Sequence, residues 1–197
     1  MKKSLLAVAV LLAGASNAHA IVGAKAGYNY WMTANHDKMH TVYGQFEHFI
    51  PLVPNAAVRY STMDDKKLKF DSYDAYGYYE VLDNGNIALD LGFGLRRFSN
   101  GKLKGDSFSD SVPMLNAEAV FFEKSQMAFY GKMDVGFDTL GSDTSFTDFE
   151  AGVRFYTIAG LRVQAGYRNY KLELDGTKGI DDSERMRGFN VGLHWQF

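Results

Sequence analysis

The sequence has 197 residues, with 12 Tyr, 15 Phe and 20 Gly but only 3 Pro, a composition that suits many strands joined by tight turns. Its formal net charge of −2 gives no indication of a nucleic-acid partner. Because the sequence contains no cysteine, disulfide bonds are excluded, and stability must come from burial or from closure of a sheet.

Residues 1–20 have the three parts of a secretory signal peptide. Lys2 and Lys3 precede an apolar run at residues 5–12, and small residues follow up to the cleavage pattern at residues 18–20. This run is too short to cross about 30 Å of hydrocarbon as a helix. We therefore predict cleavage near Ala20, which leaves residues 21–197 as the mature domain.

From residue 22 onward, ten segments alternate apolar and polar residues with a period of two, which predicts ten strands. In chain order they are residues 22–31, 41–50, 57–62, 73–82, 87–96, 114–122, 127–137, 149–156, 161–168 and 187–197. The fifth is the clearest, because its apolar face is unbroken from Ile87 to Leu95. Such a pattern is typical of a strand with one face in lipid and the other in a polar interior.

The connections between these segments alternate between short and long. The short ones are residues 51–55, 83–86, 123–126 and 157–160, and the long ones are residues 33–39, 63–70, 97–112, 138–147 and 171–184. We therefore predict an all-β fold, a transmembrane up-and-down antiparallel β-barrel with both termini in the periplasm and long loops outside. The alternative is eight strands, if the short segment 57–62 does not cross the membrane.

The last ten residues, GFNVGLHWQF, alternate strictly and end on an aromatic residue. By resemblance to other outer-membrane barrels, Trp195 and Phe197 are expected to form the signal that the barrel-assembly machinery recognises.

Four segments resemble those of a known family: FEHFIPLVPN at residues 46–55, YYEVLDN at 78–84, LDLGFGLRRF at 89–98 and GYR at 166–168. They are similar to segments of a small gammaproteobacterial outer-membrane β-barrel family of uncharacterised function. The resemblance implies a barrel in the bacterial outer membrane and assigns no catalytic or ligand residue. The prolines of the first segment and the Asp83-Asn84-Gly85 sequence are also explained by turn geometry alone.

The inward faces of the predicted strands carry equal numbers of basic and acidic residues. These are Lys25, Arg59, Arg96, Lys132, Arg154, Arg162 and Arg168, with Glu47, Asp74, Glu80, Asp90, Glu118, Asp134 and Glu150. A wide selective channel would more naturally show one sign of charge. We therefore predict that these residues form a structural network of ion pairs in a mostly filled lumen.

The predicted role is structural or one of surface interaction through the outer loops, and two alternatives stay open. The first is a narrow porin-like channel for small polar solutes. The second is a hydrolase at the outer rim, where His36, Asp37 and His40 are close enough in sequence to hold a metal ion. Without a structural context we favour a non-enzyme with no cofactor and no metal site.

The expected partners are outer-membrane lipid and lipopolysaccharide, with no nucleic acid, and the protein is expected to be a monomer. Two long loops are strongly charged, and their residues are Asp64, Asp65, Lys66, Lys67 and Lys69 in one, and Asp175, Asp181, Asp182 and Glu184 in the other. The lysines are candidates for contact with lipopolysaccharide phosphates and the acids for divalent cations. The simpler interpretation is that these side chains are solvated.

Overall fold

The computed structural model describes residues 22–35, 37–50, 52–139, 142–157, 159–177 and 180–196. The predicted signal peptide, His36 and Phe197 lie outside these residues. The strands in chain order are β1 (Val22–Thr33), β2 (Lys38–His48), β3 (Asn55–Asp64), β4 (Leu68–Asp83), β5 (Ile87–Leu103), β6 (Asp106–Phe108), β7 (Ser111–Phe121), β8 (Met127–Gly136), β9 (Thr144–Tyr156), β10 (Leu161–Thr177) and β11 (Ile180–Gln196). The described part of the chain contains no helix long and apolar enough to cross a membrane.

Ten of these strands close into an antiparallel barrel. Each pairs with its neighbour in the chain, and the ring is completed by β1 with β11 and by β5 with β7. The three-residue β6 pairs with the end of β5. The prediction of a ten-stranded barrel is therefore confirmed, and the eight-strand alternative is wrong.

The strand that made the count uncertain is longer than its predicted range of 57–62. β3 has ten residues and pairs over its length with β2 and β4. The predicted range ends at residue 62 because Met63 is an apolar residue that faces inward, which breaks the pattern of apolar residues outward and polar residues inward. At about 3.3 Å per residue, ten tilted residues span the hydrocarbon region of a bilayer.

Successive strands are connected alternately at one end of the barrel and at the other. We call the end that carries Val22 and Gln196 the terminal end and the opposite end the far end. The terminal end holds the predicted short turns, but the predicted long loops of the far end are mostly strand. β5 continues to Leu103, and β10 and β11 continue the barrel through most of residues 171–184. Four strands have 16 or 17 residues, whereas about 9–11 suffice to cross a membrane.

In the half of the barrel near the terminal end, large apolar side chains point outward. On β5, Phe93 is 58% exposed and Leu95 53%, whereas Gly92 and Arg96 on the other parity are buried. We call this outward surface the apolar belt, and its members include Val42, Phe46, Val58, Tyr73, Leu91, Phe93, Leu95, Leu115, Phe121, Phe129, Met133, Phe149, Phe155, Val163, Tyr167, Phe189, Val191, Leu193 and Trp195. A continuous belt of this kind is far larger than the apolar patches that water-soluble monomers expose.

Toward the far end the arrangement is reversed. Beyond Tyr167 on β10, Lys171 and Glu173 point outward, while Tyr170 and Leu172 point inward and are fully buried. The inward apolar side chains form one cluster, the apolar plug, of Trp31, Met39, Met63, Leu68, Phe70, Phe98, Leu103, Phe108, Val112, Met114, Phe146, Tyr170, Leu172, Leu174 and Met186. Among the described residues, every strand except β8 contributes to it. The far half is thus organised like a water-soluble barrel.

A bulge in β5 maintains this reversal. Pairing with β4 shifts between Lys69 and Asp71, so that one extra residue of β5 is accommodated near Asn100. Asn100 adopts a positive φ of 53°, which asparagine tolerates better than most residues. The extra residue changes the parity, and Leu103 therefore enters the plug while Lys102 stays in water.

Candidate functional site

The interior of the barrel is the candidate site, since most of the charged residues selected from the sequence meet there. Directly beneath the plug, the Asp74 carboxylate accepts hydrogen bonds from Arg59 Nε at 2.5 Å and from Arg96 Nε at 2.8 Å. Asp134 accepts hydrogen bonds from both arginines and from Asn116. Asp74 and Arg96 are almost completely buried. Two carboxylates and two guanidinium groups therefore neutralise each other inside the barrel, as burial of charge requires.

A second buried pair lies at the same level. Arg168 donates two hydrogen bonds to Asp148, at 2.8 and 2.6 Å, in the parallel geometry that gives arginine its strongest carboxylate contacts. Its guanidinium also lies 5.1 Å from the Trp31 ring of the plug. Asp148 was not among the residues predicted to face inward, because the predicted strand began at Phe149. Its parity, shared with Glu150 and Arg154, was the signal that would have found it.

Glu150 has neutral partners rather than a cation. Its carboxylate accepts hydrogen bonds from Tyr130 Oη at 2.5 Å, Asn190 Nδ2 at 2.7 Å and Gln164 Nε2 at 3.4 Å. Among the described residues it forms no ion pair within 4.0 Å. Side-chain amides on the inward parity are thus part of this interior, and counting charges alone misses them.

Nearer the terminal end, a second ionic group surrounds Glu118. This carboxylate lies 3.1 Å from Lys132 Nζ and 2.6 Å from Arg154 Nη2. Lys25 and Glu47 form a separate pair at 2.6 Å. The predicted charge pairing therefore extends over most of the interior.

The pairing does not extend to Glu80, Asp90 or Arg162, which have no ion-pair partner among the described residues. Arg162 instead stacks on the Tyr156 ring at 4.1 Å. Glu80, Asp90 and Arg162 all line a cavity of about 140 Å³ that lies toward the terminal end of the lumen. His194 also lines it, is 5% exposed, and has no hydrogen-bond partner at Nδ1. This cavity is polar and large enough for several waters.

Charged side chains of the far end meet across the barrel mouth. Lys104 Nζ lies 2.5 Å from Asp182, and Lys67 Nζ lies 3.7 Å from Glu184, so residues near β4 and β5 are joined to β11. The hydrogen bond from Lys104 lowers the pKa of Asp182 and that of Lys104 is raised by the same contact. The two charged loops predicted from the sequence are therefore brought together through Lys67 and Glu184, and Lys104, which follows β5, neutralises Asp182.

The possible metal or hydrolase site in the first far-end turn does not assemble from the described residues. Asp37 closes a local turn, its backbone N–H donating to Thr33 Oγ1 at 3.1 Å. His40 faces outward, and its Nδ1 lies 2.6 Å from Tyr28 Oη. No group of three metal-binding side chains occurs in the described part of the chain. The absence of enzyme activity stays a prediction.

The predicted assembly signal is only partly within the described residues. Trp195 lies on the outward face of β11, 47% exposed and opposite Ala26 of β1 and Leu161 of β10. Phe197 lies outside the described residues, so the role of this pair stays a prediction.

Comparison with known proteins gives structural similarity only. No family model and no curated protein matches the sequence, and the family resemblance therefore stays a prediction. The chain is similar in structure to Neisserial surface protein A, with 14% identity and a TM-score of 0.39, covering 89% of this chain and 96% of that one. It is also similar to the KdgM porin, with 10% identity and a TM-score of 0.43, covering 88% and 99%. The N-terminal β-barrel domain of Pseudomonas aeruginosa OprF gives 12% identity and a TM-score of 0.35, covering 89% and 96%. Similarities of this size identify neither a family nor a function.

Proposed function

We propose that the protein is an integral β-barrel of the bacterial outer membrane that has no continuous channel and acts as a rigid scaffold for its far end. In this proposal the far end faces the outside, and the role is structural or one of surface interaction. The far-end strands and turns, rather than long flexible loops, provide the interacting surface. The proposed partners are outer-membrane lipid and lipopolysaccharide, with the barrel-assembly machinery acting during biogenesis on a monomer.

Membrane insertion is supported by the apolar belt. Its members surround a lumen in which most charges are paired, and the belt stops within one register step on neighbouring strands. On β9, β10 and β11 the last belt residues are Phe149, Tyr167 and Phe189, which match the aromatic girdles of membrane barrels. Directly beyond them the outward residues become polar, as expected where the barrel leaves the hydrocarbon region.

The observation that carries the closed-scaffold proposal is the apolar plug. Phe98 lies edge-on to both Phe70 and Phe146, with ring centroids 5.3 and 5.8 Å apart. Phe146 in turn stacks on Tyr170 at 6.3 Å. These rings belong to the apolar plug of the far half. They support a closed lumen, since an unhydrated charge in such surroundings is very unfavourable.

Planar-bilayer conductance tests this proposal. We expect the folded protein to give no steady openings, because the plug blocks the lumen. A variant carrying Phe98→Ala and Phe146→Ala removes two central rings and is expected to leak ions, whereas Phe93→Ala in the apolar belt is the matched control and should stay closed. Steady openings of reproducible size in the unmodified protein would contradict the closed scaffold.

A narrow channel for small polar solutes is the second candidate, and the cavity near His194 favours it. This cavity of about 140 Å³ is lined by charged residues and extends the polar interior toward the terminal end. A second cavity of about 30 Å³, close to the size of one water, lies between it and the plug. Conduction would require the plug to move, so openings that disappear when the far-end strands are cross-linked would favour this candidate.

A further inference from the structure

The outward surface of β10 and β11 places like charges opposite each other just beyond the apolar belt. Lys171 of β10 is the register partner of Arg185 of β11, and Asn169 is the partner of Arg187. Both arginines are exposed on the outward face. Cations directly opposite on neighbouring strands repel each other. This arrangement is therefore unfavourable unless each of the two cations has an anion beside it.

Arg185 and Arg187 also have no acidic partner in the part of the chain that the structure describes, in contrast to three lysines of the far end. Lys67, Lys69 and Lys104 lie within 4.0 Å of Glu184, Asp64 and Asp182 respectively. Lys171 bonds to Glu173 on its own strand at 2.5 Å. Neither Arg185 nor Arg187 forms an ion pair or a side-chain hydrogen bond within the described ranges. Lys67, Lys69 and Lys104 are thus neutralised, whereas Lys38, Lys66, Arg97 and Lys102, like the two arginines, form no ion pair within 4.0 Å among the described residues. Arg185 and Arg187 stand out among these cations because they are consecutive on the outward face of β11 and directly follow the belt residue Phe189 toward the far end.

The position of these arginines relative to the belt indicates what kind of anion they meet. Tyr167 and Phe189 are register partners one step below Asn169 and Arg187, and their rings lie edge-on at 5.7 Å. Both rings are outward and exposed, Phe189 by 72%. A lipid whose chains contact this aromatic pair has its headgroup at the level of Arg187 and Arg185. Each guanidinium presents the paired donors that match phosphate oxygens.

We propose that Arg185 and Arg187, with Lys171 and Asn169 beside them, bind the headgroup phosphate of a lipid in the outer leaflet. This inference rests on the proposed membrane placement of the barrel. The anion is a phosphate carried by a lipid rather than a free ion, because the apolar surface adjoining the arginines holds acyl chains and keeps the headgroup in place. Glu173 stays bound to Lys171 and does not occupy the arginines.

Lipid binding to the folded protein in a non-ionic detergent, measured by native mass spectrometry, tests this site. The probes are a phosphatidic acid, the diacylglycerol with the same chains, and inorganic phosphate.

The test variant carries Arg185→Gln and Arg187→Gln. The control carries Lys66→Gln and Lys102→Gln, which removes two exposed far-end cations that do not adjoin the belt. Lys102 lies opposite Lys69, so this control also tests whether like charges alone, without the aromatic pair, are sufficient. We expect the test variant to bind phosphatidic acid about 25-fold more weakly, since each cation near the headgroups adds roughly a fivefold preference, and the control to bind like the unmodified protein.

Equal binding of phosphatidic acid by the test variant and the unmodified protein, or an equal loss in the control, would overturn the site. Tighter binding of inorganic phosphate than of phosphatidic acid would show that the bound phosphate does not belong to a lipid. If the Gln variant does not fold, Arg185→Lys with Arg187→Lys keeps the charge but removes the paired donors, and we expect an intermediate loss. Gel mobility that changes on boiling identifies the folded barrel. Folded protein without phosphate preference contradicts this inference alone, whereas failure to form a barrel that inserts into vesicles contradicts the proposed function.

Discussion

The two halves of the barrel place the same classes of side chain on opposite faces of the same strands. On β10, Gln164 and Arg168 point into the lumen in the terminal half, and Val163 and Tyr167 point out. A few residues later Tyr170 and Leu172 point in, with Lys171 between them pointing out. The backbone pairing is continuous through both halves. The difference therefore comes from the surroundings and not from the fold.

The membrane placement proposed above explains both arrangements. Where lipid covers the outside, apolar side chains gain nothing from facing inward, and the lumen can hold charges provided that they are paired. Where water covers the outside, the hydrophobic effect favours an apolar interior. Arg96 marks the junction, because its guanidinium bonds Asp74 while lying 4.1 Å from the Phe146 ring of the plug. If this account is right, each half should respond differently to the same type of substitution.

The largest effect is expected from removing a carboxylate in the terminal half. Asp74→Ala leaves Arg59 and Arg96 without a shared partner inside the barrel, and we expect a loss of about 5 kcal/mol in the free energy of unfolding. Urea unfolding followed by tryptophan fluorescence measures this loss. Asp64→Ala is the control, because Asp64 is exposed and its pair with Lys69 should contribute less than about 1 kcal/mol. Similar losses in the two variants would mean that the interior network contributes no more than a surface ion pair.

The second-largest loss of stability is expected from removing a ring in the interior of the far half. Phe98 is completely buried and contacts three other rings, so Phe98→Ala should leave a cavity and lower the free energy of unfolding by about 4 kcal/mol. Phe93→Ala removes the same group from the apolar belt, where lipid or detergent fills the space, and should cost less. The same urea titration compares the two variants. A larger loss for Phe93→Ala would place the principal packing of the barrel outside rather than inside.

The sequence predicts the terminal half of the barrel well and the far half poorly, for a physical reason. The alternation of outward apolar and inward polar residues correctly predicts the start of β5 at Ile87 and the presence of the strands that pair with it. A strand with one face in lipid requires that alternation. Beyond Arg96 the pattern reverses, and the prediction of loops at residues 97–112 and 171–184 is wrong, because much of these segments is strand. A strand with apolar residues inward and charged residues outward has the same period of two. Side chains on β10 keep alternating between outward and inward from Tyr167, which faces outward, to Tyr170, which faces inward. This unbroken alternation indicates that β10 continues.

The interior network was predicted as a set of residues but not as pairs. Parity places Asp74 and Arg96 inward, whereas their contact depends on the register between β4 and β5, which a single sequence does not provide. The sequence prediction did not include the side-chain amides that bond to Glu150, because it considered only charged residues on the inward faces. The meeting of Lys67 with Glu184 depends on the closure of the whole barrel, which joins residues far apart in the chain.

The bulge in β5 provides a smaller, local test of the reversal. Asn100 has a positive φ of 53°, and its Nδ2 donates to Asp71 at 2.8 Å. A β-branched residue is strained in this conformation, so Asn100→Val should lower the free energy of unfolding by about 1–2 kcal/mol. Asn100→Gly removes the side-chain hydrogen bond but fits the backbone, and it should cost less than the valine variant. An equal cost for glycine and valine would attribute the effect to the bond with Asp71 instead.

The smallest effect is expected at the mouth, where Lys104 and Asp182 join the two sides of the far half. Both groups are exposed, so Lys104→Gln should leave global stability almost unchanged and act locally. Because the pKa of Asp182 lies below its ordinary value of 3.8, the stabilisation from this contact is present above that value and is lost as the pH falls through the lowered pKa. Because the pKa of Lys104 is raised above 10.5, the contact is lost again when the pH rises through that higher value.

A carboxyl-carbon NMR titration of Asp182 checks this pH dependence directly. In the unmodified protein the midpoint should lie below 3.8, and in Lys104→Gln it should move up toward that value, since the hydrogen bond from Lys104 is the main cause of the shift. Lys102→Gln is the matched control, because Lys102 is exposed near the end of β5 and points outward, and it should leave the midpoint unchanged. If the midpoint is the same in all three proteins, the two sides of the mouth are not held together by this pair, and the rigidity of the far half depends on the plug beneath it.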